Sequence, residues 1–302
     1  MGFAFTLGLF MPFILKKYPS IKGKKIQLFL LNEVGLSMSV SQKLLSKGRV
    51  FDENGNRFQN GQTLKGDFVQ VAVFQGQTRG LKPIFNTEDF AIFDKPSGIM
   101  VHPTSKDTAY SLLDEIRYHF GNNANLAHRI DLETSGLVLV TKHKISDIIL
   151  KTMFEDKKYQ KKYHALVHGE IKKDLTIDSS IKKDGGKIGV KMKVDANGKE
   201  SLTYIKPLKY FKENNQTLVE AIPHTGRQHQ IRVHLNSIGH TIVGDPIYGV
   251  NEDIADKYLC KKLTQEERLK YIGHSRLMLH ALYLEFDYNN RKYQIYSKQK
   301  FI

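Results

Sequence analysis

Residues 127–140 read Ala127-His128-Arg129-Ile130-Asp131-Leu132-Glu133-Thr134-Ser135-Gly136-Leu137-Val138-Leu139-Val140. The last four are apolar and run into Thr141, which predicts a buried strand over 137–141. Directly before it, Arg129, Asp131, Thr134 and Ser135 crowd together and are closed by Gly136, the composition of a turn. Loops backed by a rigid strand commonly carry functional carboxylates. A plain Thr-Ser-Gly turn with a surface Arg–Asp pair fits the same residues, so this stretch alone leaves both readings open.

Outward from it, short strands are predicted over 90–93, 163–167, 218–222 and 282–286, with helices only between some of them, over 111–119, 146–154 and 228–238. That mixture predicts an α+β domain around a mixed, largely antiparallel central sheet with flanking helices and loops. Residues 172–199 are lysine-rich and carry Gly185-Gly186 and Asn197-Gly198, which reads as hairpins or a mobile flap.

The N-terminal part has its own pattern. Leu28, Leu31 and Val34 predict the apolar face of a short helix stopped by Gly35. A second helix starts at Ser37 or Ser39, the latter paired with Gln42 in a capping box, with Val40 and Leu44 as its apolar face and Gly48 as its stop. An Asn54-Gly55 turn and the alternating Val69, Val71 and Val73 add a small sheet. We therefore divide the chain into a tail over 1–23, expected to be disordered, a small α/β module over 24–76, a linker over 77–85 and a main domain over 86–302. Residues 3–15 are apolar but lack a preceding basic flank and are interrupted by Pro12, so a tail, with Met11 as an alternative start, is favoured over a signal peptide or membrane anchor.

The chain has 302 residues, 40% hydrophobic and 25% charged, which excludes disorder over most of its length. Its 46 basic and 31 acidic residues give a net charge of +15, so a polyanionic partner is expected, nucleic acid before an acidic membrane surface. Up to residue 85 there are twelve basic and four acidic residues, a net of +8 and over half of the excess. A single cysteine, Cys260, excludes an internal disulfide and fits a reducing compartment, hence a cytoplasmic location. His224, His229 and His234 invite a metal hypothesis, but five-residue steps turn by about 140° around a helix and cannot share one face. No metal is expected there. Arg232 lies among Ile231, Val233 and Leu235, so it is expected to be buried and to need a carboxylate partner.

Five ordered blocks together resemble the RluA-type pseudouridine synthases. They are Lys95-Pro96-Ser97-Gly98 with Val101-His102-Pro103, His128 to Asp131 with Thr134 to Leu137, Lys161-Lys162-Tyr163 with Ala165 to Val167, Thr225 to Leu235 with Gly244-Asp245, and Leu279-His280-Ala281. Ile130 replaces the family's usual leucine, and the charged stretch 251–271 is longer than the pattern leads one to expect. Residues 24–76 are similar to the RNA-binding module shared with ribosomal protein S-four, through Leu36-Ser37, Lys47 to Val50, the Asn-Gly turn and Gly66-Asp67. Asp52-Glu53 depart from that pattern by placing acid where the RNA-facing side is basic.

The resemblance implies the pseudouridine synthase fold, RNA as partner and no cofactor. It implies Asp131 as the essential carboxylate, Tyr163 as the ring stacked on the target base, Arg232 as the cation paired with Asp131, and Arg129 as the residue filling the gap left by a flipped nucleotide. His128, Thr134, Arg227 and Lys95 would surround the substrate without taking part in catalysis. The residue types suit the chemistry: a charged carboxylate can attack or stabilise the ribose, and an arginine is its counter-ion. A covalent sugar adduct and a glycal intermediate remain equally compatible with them. Extruding the base from its stack costs a few kcal/mol. The two-part organisation resembles that of members acting on large-subunit ribosomal RNA, with transfer RNA as the alternative, and a monomer is expected. Two rivals make distinct demands. A hydrolase would use Asp131 and Glu133 as a carboxylate pair on opposite sides of a sugar. A non-catalytic assembly factor would tolerate loss of Asp131, Tyr163 or Arg232, and all three are present.

Overall fold

The computed structural model describes residues 13–103 and 108–302. They fall into two compact units, Met1–Arg79 with Pro103–Asn122, and Gly80–His102 with Asn123–Ile302. Among the described residues no helix is long and apolar enough to cross a membrane.

The first unit contains β1 (Phe13–Pro19), α1 (Ile26–Asn32), α2 (Met38–Ser46), β2 (Val50–Phe51), β3 (Phe68–Phe74) and α3 (Leu112–Phe120). The expected tail over 1–23 is corrected from residue 13 onward. β1 pairs antiparallel with β3 from Phe13↔Phe74 to Pro19↔Phe68, and Tyr18 packs on the core of this unit. The rest of that tail, Met11 included, lies outside the described residues. Both helices form, and of the expected face residues Val34 and Leu44 pack on the core of this unit while Leu28 and Val40 do not. In α1 the buried residues are Ile26, Phe29 and Leu30, while Leu28 is 48% exposed; in α2 they are Ser41 and Leu45, while Val40 is 43% exposed. α1 is apolar nearly all round, so its periodicity leaves the phase open and docking decides it. Ser37, not Ser39, caps α2 by accepting from Val40 N–H.

The acidic pair that breaks the expected basic pattern has local work. Asp52 Oδ1 accepts from the N–H groups of Asn54 and Asn56 at 2.9 and 2.8 Å and so builds the Asn-Gly turn, and Glu53 Oε2 accepts from Asp67 N–H at 2.8 Å. α3, assigned by sequence to the main domain, belongs to this unit. Gly76, the last residue of the expected module, makes a close approach: a Cβ there would lie 2.5 Å from Asp114 O on α3. The Arg117 guanidinium lies 4.4 Å from the Phe74 ring, and Arg79 N–H donates to Glu115.

The second unit contains β4 (Pro83–Asn86), β5 (Phe90–Lys95), β6 (Asn125–Leu126), β7 (Ser135–Thr141), α4 (Lys144–Glu155), β8 (Tyr159–His168), β9 (Leu175–Asp178), β10 (Ile181–Lys183), β11 (Met192–Val194), β12 (Leu202–Phe211), β13 (Gln216–Pro223), α5 (Gln230–Ser237), α6 (Glu252–Leu259), α7 (Gln265–Ile272), β14 (Leu279–Tyr288) and β15 (Arg291–Tyr296). The expected linker thus ends before β4, which pairs with β5. The main sheet runs β4-β5-β7-β14-β8-β13-β12-β9, with β6 on β7 and β15 on β14. Every pairing is antiparallel except β7 with β14, so the α+β expectation of a mixed, largely antiparallel sheet holds. α5 packs Ile231 and Leu235 onto β8, β12, β13 and β14, and α4 packs Leu150 and Met153 onto β5, β7 and β14.

Residues 172–199 are no free flap. β10 and β11 form a hairpin, and Ile181 and Ile188 are buried with Val233, Ile247, Tyr248 and Ala255. Two apolar anchors in a polar segment suffice to fasten it.

Candidate active site

The aspartate loop is fixed by the strand that follows it. Gly136, the second residue of β7, has φ +108°, and a Cβ there would stand 2.2 Å from Ala281 O of β14, so only glycine permits this backbone contact. Behind the loop, Lys95 Nζ donates to Pro96 O and Leu132 O at 2.9 and 3.0 Å, Ser97 Oγ to Glu133 O at 2.6 Å, and Gly98 N–H to Leu132 O at 3.0 Å. Asp131 is left on the open side, its side chain 30% exposed.

Opposite stands α5. Gln230 ties its start down, accepting from Thr225 Oγ1 and Arg227 N–H and donating to Leu202 O and Thr203 Oγ1. Arg232, the third residue of α5 and 3% exposed, gives Nε and Nη2 to the two oxygens of Asp245, both at 2.8 Å. Its Nη1 donates to Asp131 Oδ2 at 3.1 Å. Burial works against the guanidinium's charge, but Asp245, through charge and hydrogen bonds, outweighs it and raises the Arg232 pKa. Asp131 Oδ1 accepts no hydrogen bond among the described residues.

These two elements and β8 enclose a pocket of about 120 Å³. Arg129, Asp131, Thr134, Tyr163, Arg227 and Arg232 all line it, six of the eight residues singled out from sequence. Tyr163 is 8% exposed, and burial, followed by Tyr159 and Asp131, raises its hydroxyl pKa. Arg227 also donates Nε to Glu200 O at 3.1 Å.

The other two are corrected. Lys95 is fully buried beneath the loop, its ammonium spent on backbone carbonyls, and desolvation brings it down to about 7 against the pull of Asp131 and Glu133. His128 folds back on its own strand, Nε2 accepting from Leu139 N–H at 3.1 Å, and burial holds its pKa well below the ordinary value. Both shape the loop from behind and neither lines the pocket. Motif membership marked them, and motifs do not separate substrate-facing residues from supporting ones.

Sequence reasoning missed three groups. Asp245 is the principal partner of Arg232, in place of the single pairing with Asp131 that was expected. His229, at φ +56°, brings Nε2 to 3.9 Å from Asp131 Oδ2, with Nδ1 against Tyr248 OH at 3.0 Å. Burial first, then Arg232, lowers it to about 4, so at neutral pH it is an uncharged neighbour. Lys161 lines the pocket with Nζ 4.5 Å from the Phe154 ring, and burial lowers it to about 7. The sign for Lys161 lay in its two-residue spacing from Tyr163, which puts both on one face of β8. The remaining histidines have other places: His234 is buried between Thr203 Oγ1 and Ser179 O, and the His224 ring stands edge-on to Tyr204.

The geometry also disposes of the hydrolase rival. Both oxygens of Glu133 are taken, by Arg268 at 2.8 and 2.6 Å, Tyr258 OH at 2.8 Å and Leu277 N–H at 3.1 Å, and Glu133 does not line the pocket. The site therefore offers a single free carboxylate beside a fixed arginine and an aromatic face.

Known proteins resemble this chain along most of its length. The sequence profile of the RNA pseudouridylate synthase family matches residues 89–237. A protein of Helicobacter pylori named as an uncharacterized RNA pseudouridine synthase is 37% identical over 293 residues, covering 95% of this chain and 94% of its own. A Pseudomonas aeruginosa protein named ribosomal large subunit pseudouridine synthase D is 32% identical over 216 residues, 69% of this chain and 64% of that one. Among solved structures, Human RNA Pseudouridylate Synthase Domain Containing 1 shares the fold, with a TM-score of 0.59 at 24% identity over 75% of this chain and 86% of that one. A relative of this similarity over nearly the whole of both chains, together with the family profile, leaves one assignment: the chain belongs to the RNA pseudouridine synthases and is an isomerase of RNA uridine.

Proposed function

We propose that Asp131, Tyr163 and Arg232 carry the isomerisation, on a uridine of large-subunit ribosomal RNA. The observation that carries this reading is the division of labour around Arg232: Asp245 takes two of its nitrogens, and the third orients Asp131 while one oxygen of Asp131 stays open to the pocket. In the reaction the bond from uracil N1 to ribose C1′ breaks, the ring turns within the pocket, C5 bonds to C1′, the C5 proton leaves and N1 is protonated. Atoms and charge balance without a cofactor. The open oxygen of Asp131 meets the positive charge that develops on the sugar, and Tyr163 presents its face to the base. Arg129, exposed at the rim, fills the place of the extruded nucleotide, and Lys161 faces the entering phosphate or base from the β8 wall.

The ribosomal substrate is supported by the name of the Pseudomonas aeruginosa relative and by the +8 charge up to residue 85. We assign residues 24–76 as an S-four-like RNA-binding module, with the exposed Lys43 and Lys47 at the end of α2 among its phosphate contacts, and the enzyme as a monomer working where ribosomal RNA is met, in the cytoplasm. Mapping pseudouridines in ribosomal and transfer RNA from cells with and without the gene tests the substrate. A pseudouridine missing from large-subunit RNA supports it; a deficit confined to transfer RNA overturns it.

A further inference from the structure

The segment longer than the family pattern leads one to expect folds into α6 and α7, and neither the resemblance nor the pocket gives them a task. Each helix is capped by its own residues: Asn251 Oδ1 accepts from Ile254 N–H, and Thr264 with Glu267 forms a capping box. Both helices send a polar side chain inward to the same place. Tyr258 of α6 donates its hydroxyl to Glu133 Oε1, and Arg268 of α7, 8% exposed, gives Nη1 and Nη2 to the two oxygens of Glu133. Nη2 of Arg268 also donates to Gly244 O at 3.3 Å. Glu133 lies two residues from Asp131, and Gly244 directly precedes Asp245. One guanidinium therefore ties the loop that carries the carboxylate to the loop that aims its arginine. α6 adds a third tie, since Ala255 is buried with Val233, the neighbour of Arg232.

We propose that α6 and α7 are a brace that sets the Asp131–Arg232 distance, with Arg268 as a positioning residue acting through Glu133 and Tyr258 seconding it. The inference rests on the assignment of Asp131 and Arg232 above. A planar fork holding two oxygens fixes direction as well as distance, which a lysine cannot reproduce. Misplacing a reacting group by about 1 Å costs on the order of 100-fold in rate.

The test uses the full-length protein and total RNA, ribosomal and transfer, from cells lacking the gene and labelled with [5-³H]uridine, because C5 loses its tritium when pseudouridine forms. Arg268→Gln is expected to lower kcat by about 30- to 100-fold with KM within threefold, Arg268→Lys to recover part of the loss, and Tyr258→Phe to cost about three- to tenfold at an unchanged melting temperature. Should Arg268→Gln fail to fold, the double variant Glu133→Leu/Arg268→Met decides, since replacing a buried ion pair by apolar residues commonly preserves stability. A folded double variant with kcat at least tenfold down supports the brace; one within threefold of wild type overturns it, as does Arg268→Gln at wild-type kcat. Asp131→Asn on the same RNA separates the two readings. If Asp131→Asn is active the site assignment fails, whereas an inactive Asp131→Asn beside a fully active Arg268→Gln removes the brace alone.

Discussion

Asp131 and Glu133 stand two residues apart in one loop and each meets a buried arginine, yet the two centres are built to opposite ends. Around Arg232, Asp245 takes both parallel hydrogen bonds, and Asp131 receives one nitrogen and keeps an open face. Around Arg268, Glu133 takes the fork, a tyrosine hydroxyl and a backbone N–H, and nothing of it is left for a substrate. What distinguishes the carboxylate we propose as reactive from the structural one is spare acceptor capacity. A carboxylate group and a buried partner arginine are common to both.

The sharpest way to break this contrast is Asp131→Asn, which keeps shape and removes charge. Tritium release from labelled RNA is expected to fall by at least ~10³-fold while RNA affinity stays within a few fold and the melting temperature barely moves. Activity near wild type would sink the assignment. Arg232→Met comes next and strikes both rate and stability: product formation is expected to drop by ~10²-fold or more, and denaturant unfolding to show a deficit of roughly 3–5 kcal/mol, because Asp245 is left buried without its partner. A fully active, fully stable variant would show that Arg232 organises nothing. Tyr163→Phe touches neither centre and sharpens what the base contributes. Stacking survives, so filter binding should report near-normal affinity with slowed single-turnover chemistry, and equal impairment of binding and turnover would indicate a structural defect instead.

Glu133→Gln weakens the fork without removing it, so it is expected to cost less in rate than Arg268→Gln, and it adds a distinctive dependence on pH. Burial pushes the Glu133 carboxyl up, but the hydrogen bonds and charge of Arg268, helped by Tyr258 and Leu277 N–H, more than offset it and hold the pKa below the ordinary 4.5. A carboxyl depressed in the folded state stabilises the fold fully above its unfolded pKa and loses that contribution as pH falls through the folded value. The stability gap between wild type and Glu133→Gln should therefore be widest above about pH 4.5 and narrow progressively below it. A gap independent of pH would mean that Glu133 draws nothing from its partners. Far from both centres in sequence, replacing Lys43 and Lys47 by serine should flatten the slope of log RNA affinity against log salt by roughly 0.7–0.9 for each phosphate that these lysines neutralise. An unchanged slope would remove the module from RNA binding.

The large sheet is legible in the sequence because its strands are short apolar runs whose identity depends on local composition: β7, β8, β13 and β14 fall where those runs do, longer by a few residues at their ends. The pocket is legible where a motif residue points inward. That reading fails at Lys95 and His128, because a lysine that caps carbonyls under a loop and one that meets a phosphate have the same letter. The partner of Arg232 is half legible: burial demands a carboxylate, but choosing Asp245 over Asp131 depends on a loop path between Leu235 and Asp245 that periodicity does not describe. β1 reads as a tail since an edge strand carrying Lys16 and Lys17 mimics a charged flank, and the association of α3 with the N-terminal unit rests on a glycine contact invisible in one dimension.

β14 has a consequence in time. It lies in the middle of the sheet, with β7 on one side and β8 on the other, yet it follows both in the chain, behind α5, α6 and α7. Until Leu279–Tyr288 emerges, β7 and β8 each wait with an open edge, and the non-local pairing that joins them is of the slow kind. Arg268 and the pocket residue Leu279 arrive in the same late stretch. Nascent chains arrested before Leu279 are accordingly expected to be protease-sensitive and inactive. An enzyme whose central strand comes this late completes its pocket only once Leu279–Tyr288 has been made.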